Sequence, residues 1–425
     1  MNQLAPPRIA RSVCPHDCPS TCALDVEIID SRTIGRVRGA KDDPYTAGVI
    51  CEKVARYAER IHHPNRLLYP LRRVGKKCAG EWQRISWDQA IEEVGNEVLR
   101  LRKESGPDSV YWLGSAKHSN EQAYLFRKMA SLWGTNNVDH QARICHSTTV
   151  AGVANTWGYG AMTNSLNDMH NSKSIMFIGS NPAEAHPVAM QHILLAKERN
   201  GCKILVVDPR RTRTAAKADM YLSLRPGTDV AFIWGMLWHI FKNGWEDKEF
   251  IRTRVYGMDE VQKEVARWTP AEVERVTGLN EQQVYGAAKL LADNRPGCVV
   301  WCMGGTQHTT GNNNTRAYCI LELALGNVGK SGAGTNIFRG HDNVQGATDF
   351  GVTSDSLPGY YGLEEGSWKH WARVWDVDYE WIKARFDNKA YNGKLPMNNN
   401  GIPVSRWVDG VLENADLIEQ GSNIR

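Results

Sequence analysis

The sequence predicts an α/β fold with a small cysteine-bearing lobe at its N-terminus, and three observations lead there. Four of the ten cysteines fall within the first 51 of 425 residues. A strand, helix, strand, strand series follows over residues 174–224, the pattern of βαβ units wound about a parallel sheet. Between the two, Ser86 and Gln89 form a capping box that opens a stretch with apolar positions at helical spacing to about residue 103.

Taken in order, residues 1–62 read as a lobe with short strands at 23–29 and 34–38, separated by turns. The capped helix comes next, then a strand at 109–113. The central series consists of strand SIMFIGS, a helix over 185–198, strand KILVVDP and strand MYLSLRP. A helix over 230–242, further helical segments to about residue 291, and the apolar strand CVVWCMG ending at Gly304 complete that region. Residues 329–363 are rich in Gly, Asn and Asp with little periodicity, which predicts irregular loops lying over a site. A last helix is expected to end near Glu419, ahead of Gly421, where a further strand would normally follow.

The hydrophobic content of 42% is that of an ordinary globular protein, large enough for two or three domains. Apolar runs such as 230–240 are interrupted by Trp, Gly and His and fall short of the roughly 18 residues that would span a bilayer. Thirteen residues precede the first cysteine, without an apolar core or paired arginines, so the expected location is the cytoplasm. A net charge of +4, dispersed along the chain, argues against nucleic acid or an anionic membrane as partner. Clustered cysteines in a reducing compartment point to metal, not disulfides.

The cluster reads Cys14-Pro15-His16-Asp17-Cys18-Pro19-Ser20-Thr21-Cys22, and Cys51 follows after 28 residues. Four soft thiolates, three from one loop and one distant anchor, suit a [4Fe–4S] cubane. Zinc is the competing ligand, although four-cysteine zinc sites usually arrive as two close CxxC pairs, which are missing here.

Three cysteines, a long gap and then Cys51-Glu52-Lys53 resemble the N-terminus of the molybdopterin oxidoreductase superfamily, and the resemblance runs along nearly the whole chain. It implies that Lys53 lies between cluster and pterin. One departure is that three residues separate the first two cysteines, where formate dehydrogenases commonly have two. Within the superfamily, Arg143-Ile144-Cys145-His146, followed by GYGAMTN, looks like the active-site segment of formate dehydrogenases. By that match Cys145 is the protein ligand to Mo or W and His146 its acid/base or electrostatic neighbour. An imidazole there could change charge near neutral pH. The segment Arg339-Gly340-His341-Asp342-Asn343-Val344-Gln345-Gly346 is similar to the family's substrate-binding segment. A guanidinium can take both formate oxygens, so Arg339 is the expected substrate clamp, with His341 and Gln345 near it.

For the pterin, the resemblance assigns contacts to turns after the strands: Gly179 and Asn181; Asp208 and Arg210; Gly227 and Asp229; Met303, Gly304 and Gln307; and Gln345. The first turn offers small residues whose backbone amides could meet a pyrophosphate at a helix start. It contains no G-x-G-x-x-G, which argues against NAD bound directly by this chain. Cys78, Cys202, Cys298, Cys302 and Cys319 fit no ligand spacing and read as core thiols.

The resemblance also implies a division into the lobe 1–62, a Rossmann-like pterin-binding domain 140–340, and a second, discontinuous α/β domain of 63–139 with 341–425. The C-terminal β-barrel that covers the second pterin in such chains is expected to be absent. The implied activity is two-electron oxidation of formate to CO2, reversible in principle. The implied cofactors are a [4Fe–4S] cluster and a Mo or W bis(pyranopterin guanine dinucleotide). The implied partners are a second polypeptide supplying the missing domain and an electron-transfer subunit carrying iron–sulfur centres, with or without a flavin. Two rival readings are a sister reductase, against which RICH together with RGHDNVQG argues, and an electron-transfer module that has lost the metal, against which retention of Cys145, His146 and Arg339 together argues.

Overall fold

The computed structural model describes residues 8–16, 18–341, 343–387, 393–412 and 424. The chain forms two compact units, one of residues 1–55 with 145–340 and the other of residues 56–144 with 341–425. The N-terminal lobe, to Ala55, is part of the first unit. The helix expected to end near Glu419 lies outside the described residues.

The first unit is built on five parallel strands in the order Met220–Leu222, Lys203–Val207, Ser174–Ile178, Gly297–Trp301 and Gly334–Ile337. Near-continuous apolar runs such as ILVV and IMFI suit strands buried on both faces. The two-residue alternation sorts them. Met176, Ile178, Leu205 and Val207 join the core under the Asp229–Asn243, Glu281–Asp293 and Gly311–Ala324 helices. Ile175, Phe177, Ile204 and Val206 join the opposite core, with Ile193 and Ala196 of the Ala189–Asn200 helix. The chain starts at the central Ser174–Ile178 strand and adds two strands to one side. It then returns to add Gly297–Trp301 and Gly334–Ile337 on the other. The order therefore reverses between Ser174–Ile178 and Gly297–Trp301, and a crevice opens beyond the carboxyl ends at such a switch point.

Ahead of this sheet, Arg8–Val13, Ala23–Ile28 and Ile34–Gly39 form an antiparallel three-stranded sheet, with Ala10 opposite Val26. In the second unit the capping box is present. Ser86 Oγ accepts from Gln89 N at 3.1 Å and Gln89 Oε1 accepts from Ser86 N at 3.0 Å, opening the Trp87–Ser105 helix. The Trp112–Gly114 and Val138–His140 strands pair in parallel, joined by the Asn120–Trp133 helix. Leu357, Trp368, Trp375, Ile382 and Met397 form a further core. Among the described residues no helix is long and apolar enough to cross a membrane.

Three expected elements differ. The helix over 185–198 is broken into Pro182–Ala185 and Ala189–Asn200, because the ring of Pro187 drives His186 out of helical geometry (φ −134°, ψ 58°). The strand at 109–113 is a 3₁₀ turn, Pro107–Ser109, followed by a strand at Trp112–Gly114, since Pro107 starts a turn after Gly106. Residues 329–363 are not irregular throughout: they contain the Gly334–Ile337 strand and the Val344–Asp349 helix. Among the thiols read as core, Cys202, Cys298 and Cys319 are buried, Cys302 is half-buried, and Cys78 is exposed at positive φ (71°), outside any packed element.

Candidate active site and cluster pocket

The first and second strands of the N-terminal sheet end in a loop carrying three cysteines. Cys14 follows one strand, Cys22 precedes the next, and Cys14 N donates to Cys22 O at 2.8 Å, closing the loop at its base. Inside it, Cys18 N donates to His16 O and Thr21 N to Cys18 O, which folds Cys18 back toward the other two. The Tyr45 hydroxyl clamps the loop from outside by donating to Pro19 O at 2.9 Å. Cys51 arrives at the start of the Glu52–Ala55 helix, its carbonyl accepting from Ala55 N.

Cys14, Cys18, Cys22 and Cys51 line one pocket together with Lys53 and residues 185–188. Burial, then the neighbouring Cys14, Cys18 and Cys51, pushes the Cys22 thiol up to about 12, and burial likewise raises Cys14. Crowded thiols of this kind become thiolates when cationic metal neutralises them. Four thiols that share one pocket suit a cubane, where each thiolate takes a different iron.

Lys53 reaches across the pocket and donates from Nζ to Ala185 O at 2.6 Å. Ala185 ends the short helix that follows Gly179 and Asn181. Gly179 sits at the end of its strand with φ +59°, and Gly304 N donates to Gly179 O at 3.1 Å across the switch point. A Cβ on Gly304 would lie 2.7 Å from Gly179 Cα and 2.8 Å from its carbonyl oxygen. Neither backbone atom can rotate away. Gly304→Val is expected to cost about 1–3 kcal/mol in a denaturant titration by forcing the two turns apart; a midpoint equal to that of the parent would show that the turns move freely.

Cys145 and His146 stand at the head of the Ser147–Trp157 helix. Cys145 Sγ lies 3.4 Å from Met303 Sδ, which places the thiol at the carboxyl end of the Gly297–Trp301 strand, beside Gly304. Thr149 fixes the imidazole: its hydroxyl takes Trp301 Nε1–H at 3.0 Å and bonds His146 Nδ1 at 3.0 Å. His146 is 2% exposed, and its Nε2 has no partner among the described residues. Burial, then the charges of Arg339 and His186, pushes His146 down to about 3, so the imidazole is neutral across the physiological range.

Arg339 follows the Gly334–Ile337 strand, and His186 Nε2 bonds to the Arg339 carbonyl while its ring meets Phe338 edge-on at 5.4 Å. The first unit therefore brings Cys145, His146, Met303, Gly304, Gly179 and Arg339 to the carboxyl ends of its Ser174–Ile178, Gly297–Trp301 and Gly334–Ile337 strands. Sequence reasoning missed His186, Thr149 and Trp301. The Ala-His-Pro step at 185–187, a helix-breaking signal, could have singled out His186.

The other expected contacts are more dispersed. Asn181 Oδ1 accepts from Thr214 Oγ1 at 2.7 Å, tying the first turn to the one after the second strand. In that second turn Asp208 Oδ1 accepts from Arg210 N at 2.8 Å, while the Arg210 guanidinium is exposed beside Glu184. Gly227 takes φ +83° before the Asp229–Asn243 helix. Asp229 is buried and accepts from the Tyr318 hydroxyl at 2.9 Å; burial raises its pKa. Gln307 is exposed after the Met303–Thr306 helix. His341 and Gln345 belong to the second unit, where Gln345 Nε2 donates to Asp349 Oδ1 at 2.7 Å and to the Tyr360 hydroxyl at 3.1 Å. Arg143 is also in the second unit, paired with buried Asp139 at 3.0 Å.

At the switch point the buried Ser180 Oγ, like His146 Nε2, has no partner among the described residues. Orphaned polar atoms at strand ends fit a polar group seated in the crevice.

The sequence profile of the molybdopterin oxidoreductase family matches residues 66–385, and that of the molybdopterin oxidoreductase Fe4S4 domain matches residues 8–63. The chain belongs to the molybdopterin oxidoreductase family. As in that family, its cofactors are a [4Fe–4S] cluster and a molybdenum or tungsten pterin group. This molybdopterin oxidoreductase is 37% identical over 367 residues to F420-dependent formate dehydrogenase 1 subunit alpha of Methanococcus maripaludis, covering 86% of this chain and 53% of that protein. It is 34% identical over 373 residues to formate dehydrogenase H of Escherichia coli, covering 86% of this chain and 52% of that one. The chain thus spans about half the length of these relatives. Acetylene hydratase from Pelobacter acetylenicus shares the fold, with a TM-score of 0.67 at 29% identity over 76% of this chain and 44% of that structure. Two such different names show that the fold alone does not choose the reaction.

Proposed function

We propose that this chain is the formate-binding, metal-holding portion of a formate dehydrogenase catalytic subunit, oxidising formate to CO2. The observation that carries the reading is the meeting of Cys145, His146 and Arg339 at the carboxyl ends of the parallel strands, beside the cysteine pocket. Cys145 would hold Mo or W, the turns at 179–181, 208–210, 227–229 and 303–307 would hold a pyranopterin guanine dinucleotide, and Cys14, Cys18, Cys22 and Cys51 the cluster. When bound, the metal centre supplies a two-electron couple and the cluster a one-electron relay toward a partner subunit.

The chain's own residues do the rest. Arg339 binds the carboxylate through two parallel N–H···O bonds and turns the C–H bond toward Cys145. Its charge persists through turnover, so release of CO2 comes with loss of the bidentate pair. His146, neutral and held by Thr149, offers its buried Nε2 as a hydrogen-bonding group. Lys53, bonded to the Ala185 carbonyl, stands between the cysteine pocket and the 179–186 turn. The partner in this reading is an electron-transfer subunit.

The test is anaerobically purified native material, assayed for Fe, Mo and W and for formate-dependent reduction of a viologen dye. Four irons and one Mo or W, with activity, are expected. Full metal content with no formate activity would sink the substrate assignment, and iron without Mo or W would sink the metal assignment.

A further inference from the structure

We infer that Cys302 and His186 are positioning residues for the substrate clamp: each holds one of the two peptide planes that meet at Arg339, and together they set the direction in which its side chain leaves the backbone. The inference deepens the formate reading above and rests on it. The ladder of the five-stranded sheet runs out at this point. Ile337 is the last paired residue of its strand, opposite Trp301, and Phe338 N donates to Trp301 O at 3.2 Å as the final ladder bond. Arg339 lies one residue beyond, where the sheet no longer dictates φ and ψ, and Gly340 after it has no Cβ to restrict the backbone. Contacts other than the ladder must therefore fix the arginine.

Two side chains supply them. The Cys302 thiol, just past the carboxyl end of the Gly297–Trp301 strand, donates to the Phe338 carbonyl. Burial pushes this thiol up to about 11, so it keeps its proton for that bond. His186 Nε2 donates to the next carbonyl, that of Arg339, and the buried Phe338 seats its ring against the same imidazole. A peptide is planar, so a carbonyl held in place holds its whole plane. The first bond fixes the plane between residues 338 and 339, the second fixes that between 339 and 340, and Cα of Arg339 is the hinge they share. With both planes fixed, φ and ψ at residue 339 are set, and the Cα–Cβ direction with them. With either plane free, binding substrate must also order the arginine. Cys302 is thus more than a packing thiol. It is half-buried, whereas Cys298 and Cys319, which fill the two cores of this unit, are buried completely.

The metal-loaded enzyme is compared as parent, Cys302→Ala, Cys302→Ser, His186→Phe and the double variant Cys302→Ala with His186→Phe, by steady-state formate kinetics and by Fe, Mo and W content. Cys302→Ala and His186→Phe are each expected to raise the formate KM by about 3- to 10-fold, with kcat within about twofold of the parent and the metals retained. Cys302→Ser keeps a donor at the position and is expected to restore the parent KM. The double variant is expected to be no worse than the poorer single variant, because one free plane already releases the hinge; independent defects would multiply instead. An unchanged KM in both single variants would overturn the inference, as would Cys302→Ser being as impaired as Cys302→Ala, or a double variant whose loss is the product of the two. His186 also walls the cysteine pocket, which Cys302 does not line. Should His186→Phe lose iron, the comparison of Cys302→Ala with Cys302→Ser therefore decides alone. A parent with full metal content and no formate activity would sink the formate reading, and the positioning role with it.

Discussion

Cys145→Ala lowers formate-dependent dye reduction by roughly 10³-fold or more, while four irons per chain remain in place. The expectation follows from location. Cys145 sits against Met303 at the switch-point crevice, whereas the four cluster cysteines occupy a separate loop-and-helix pocket. Removing one thiol therefore removes one function. Iron content and the cluster absorbance report the pocket, and dye reduction reports the crevice. A variant that keeps a tenth of its activity would show that Cys145 does not hold the metal. Loss of iron together with activity would show instead that the two sites are one cooperative structure.

Arg339→Lys raises the formate KM and lowers kcat/KM by about 10- to 100-fold, because the positive charge is kept while the two-pronged geometry is lost. The main-chain bond from His186 to residue 339 does not involve the side chain and survives the substitution. The effect should therefore be confined to substrate. Arg339→Gln, which loses charge as well, should fall further. Steady-state kinetics that separate kcat from KM decide the point: an unchanged KM in both variants would remove Arg339 from the substrate site.

Much of the sheet was legible because its strands are short apolar runs bounded by turn residues. SIMFI, KILVV and GCVVW are strands, as expected. The capped Trp87–Ser105 helix was legible from two side chains alone. What could not be read had weak or contradictory local chemistry. The edge strand GTNI carries one large apolar residue, so it disappears into a polar stretch. Its identity comes from pairing with Gly297–Trp301, a contact no local pattern encodes. The stretch after Asn181 has helical composition throughout, and Pro187 alone divides it.

The site divided in the same way. Cysteine spacing announced the metal pocket, and Cys145 and Arg339 were found by resemblance. The burial of His146 was not legible, because the sequence shows an imidazole beside a thiol but not that Thr149, itself bonded to Trp301, holds the ring away from water. Nor could the sequence reveal that Gln345 would have its amide committed to Asp349 and Tyr360.

Residues 185–188 wall the cysteine pocket, and within them the Ala185 carbonyl holds Lys53 while the His186 ring holds the backbone of Arg339. Surface loops ordinarily absorb an added or deleted residue at little thermodynamic cost. This stretch has no such slack. It acts as a gauge block between the electron-carrying and substrate-holding ends of the unit, so drift in length, more than drift in composition, is what it cannot absorb.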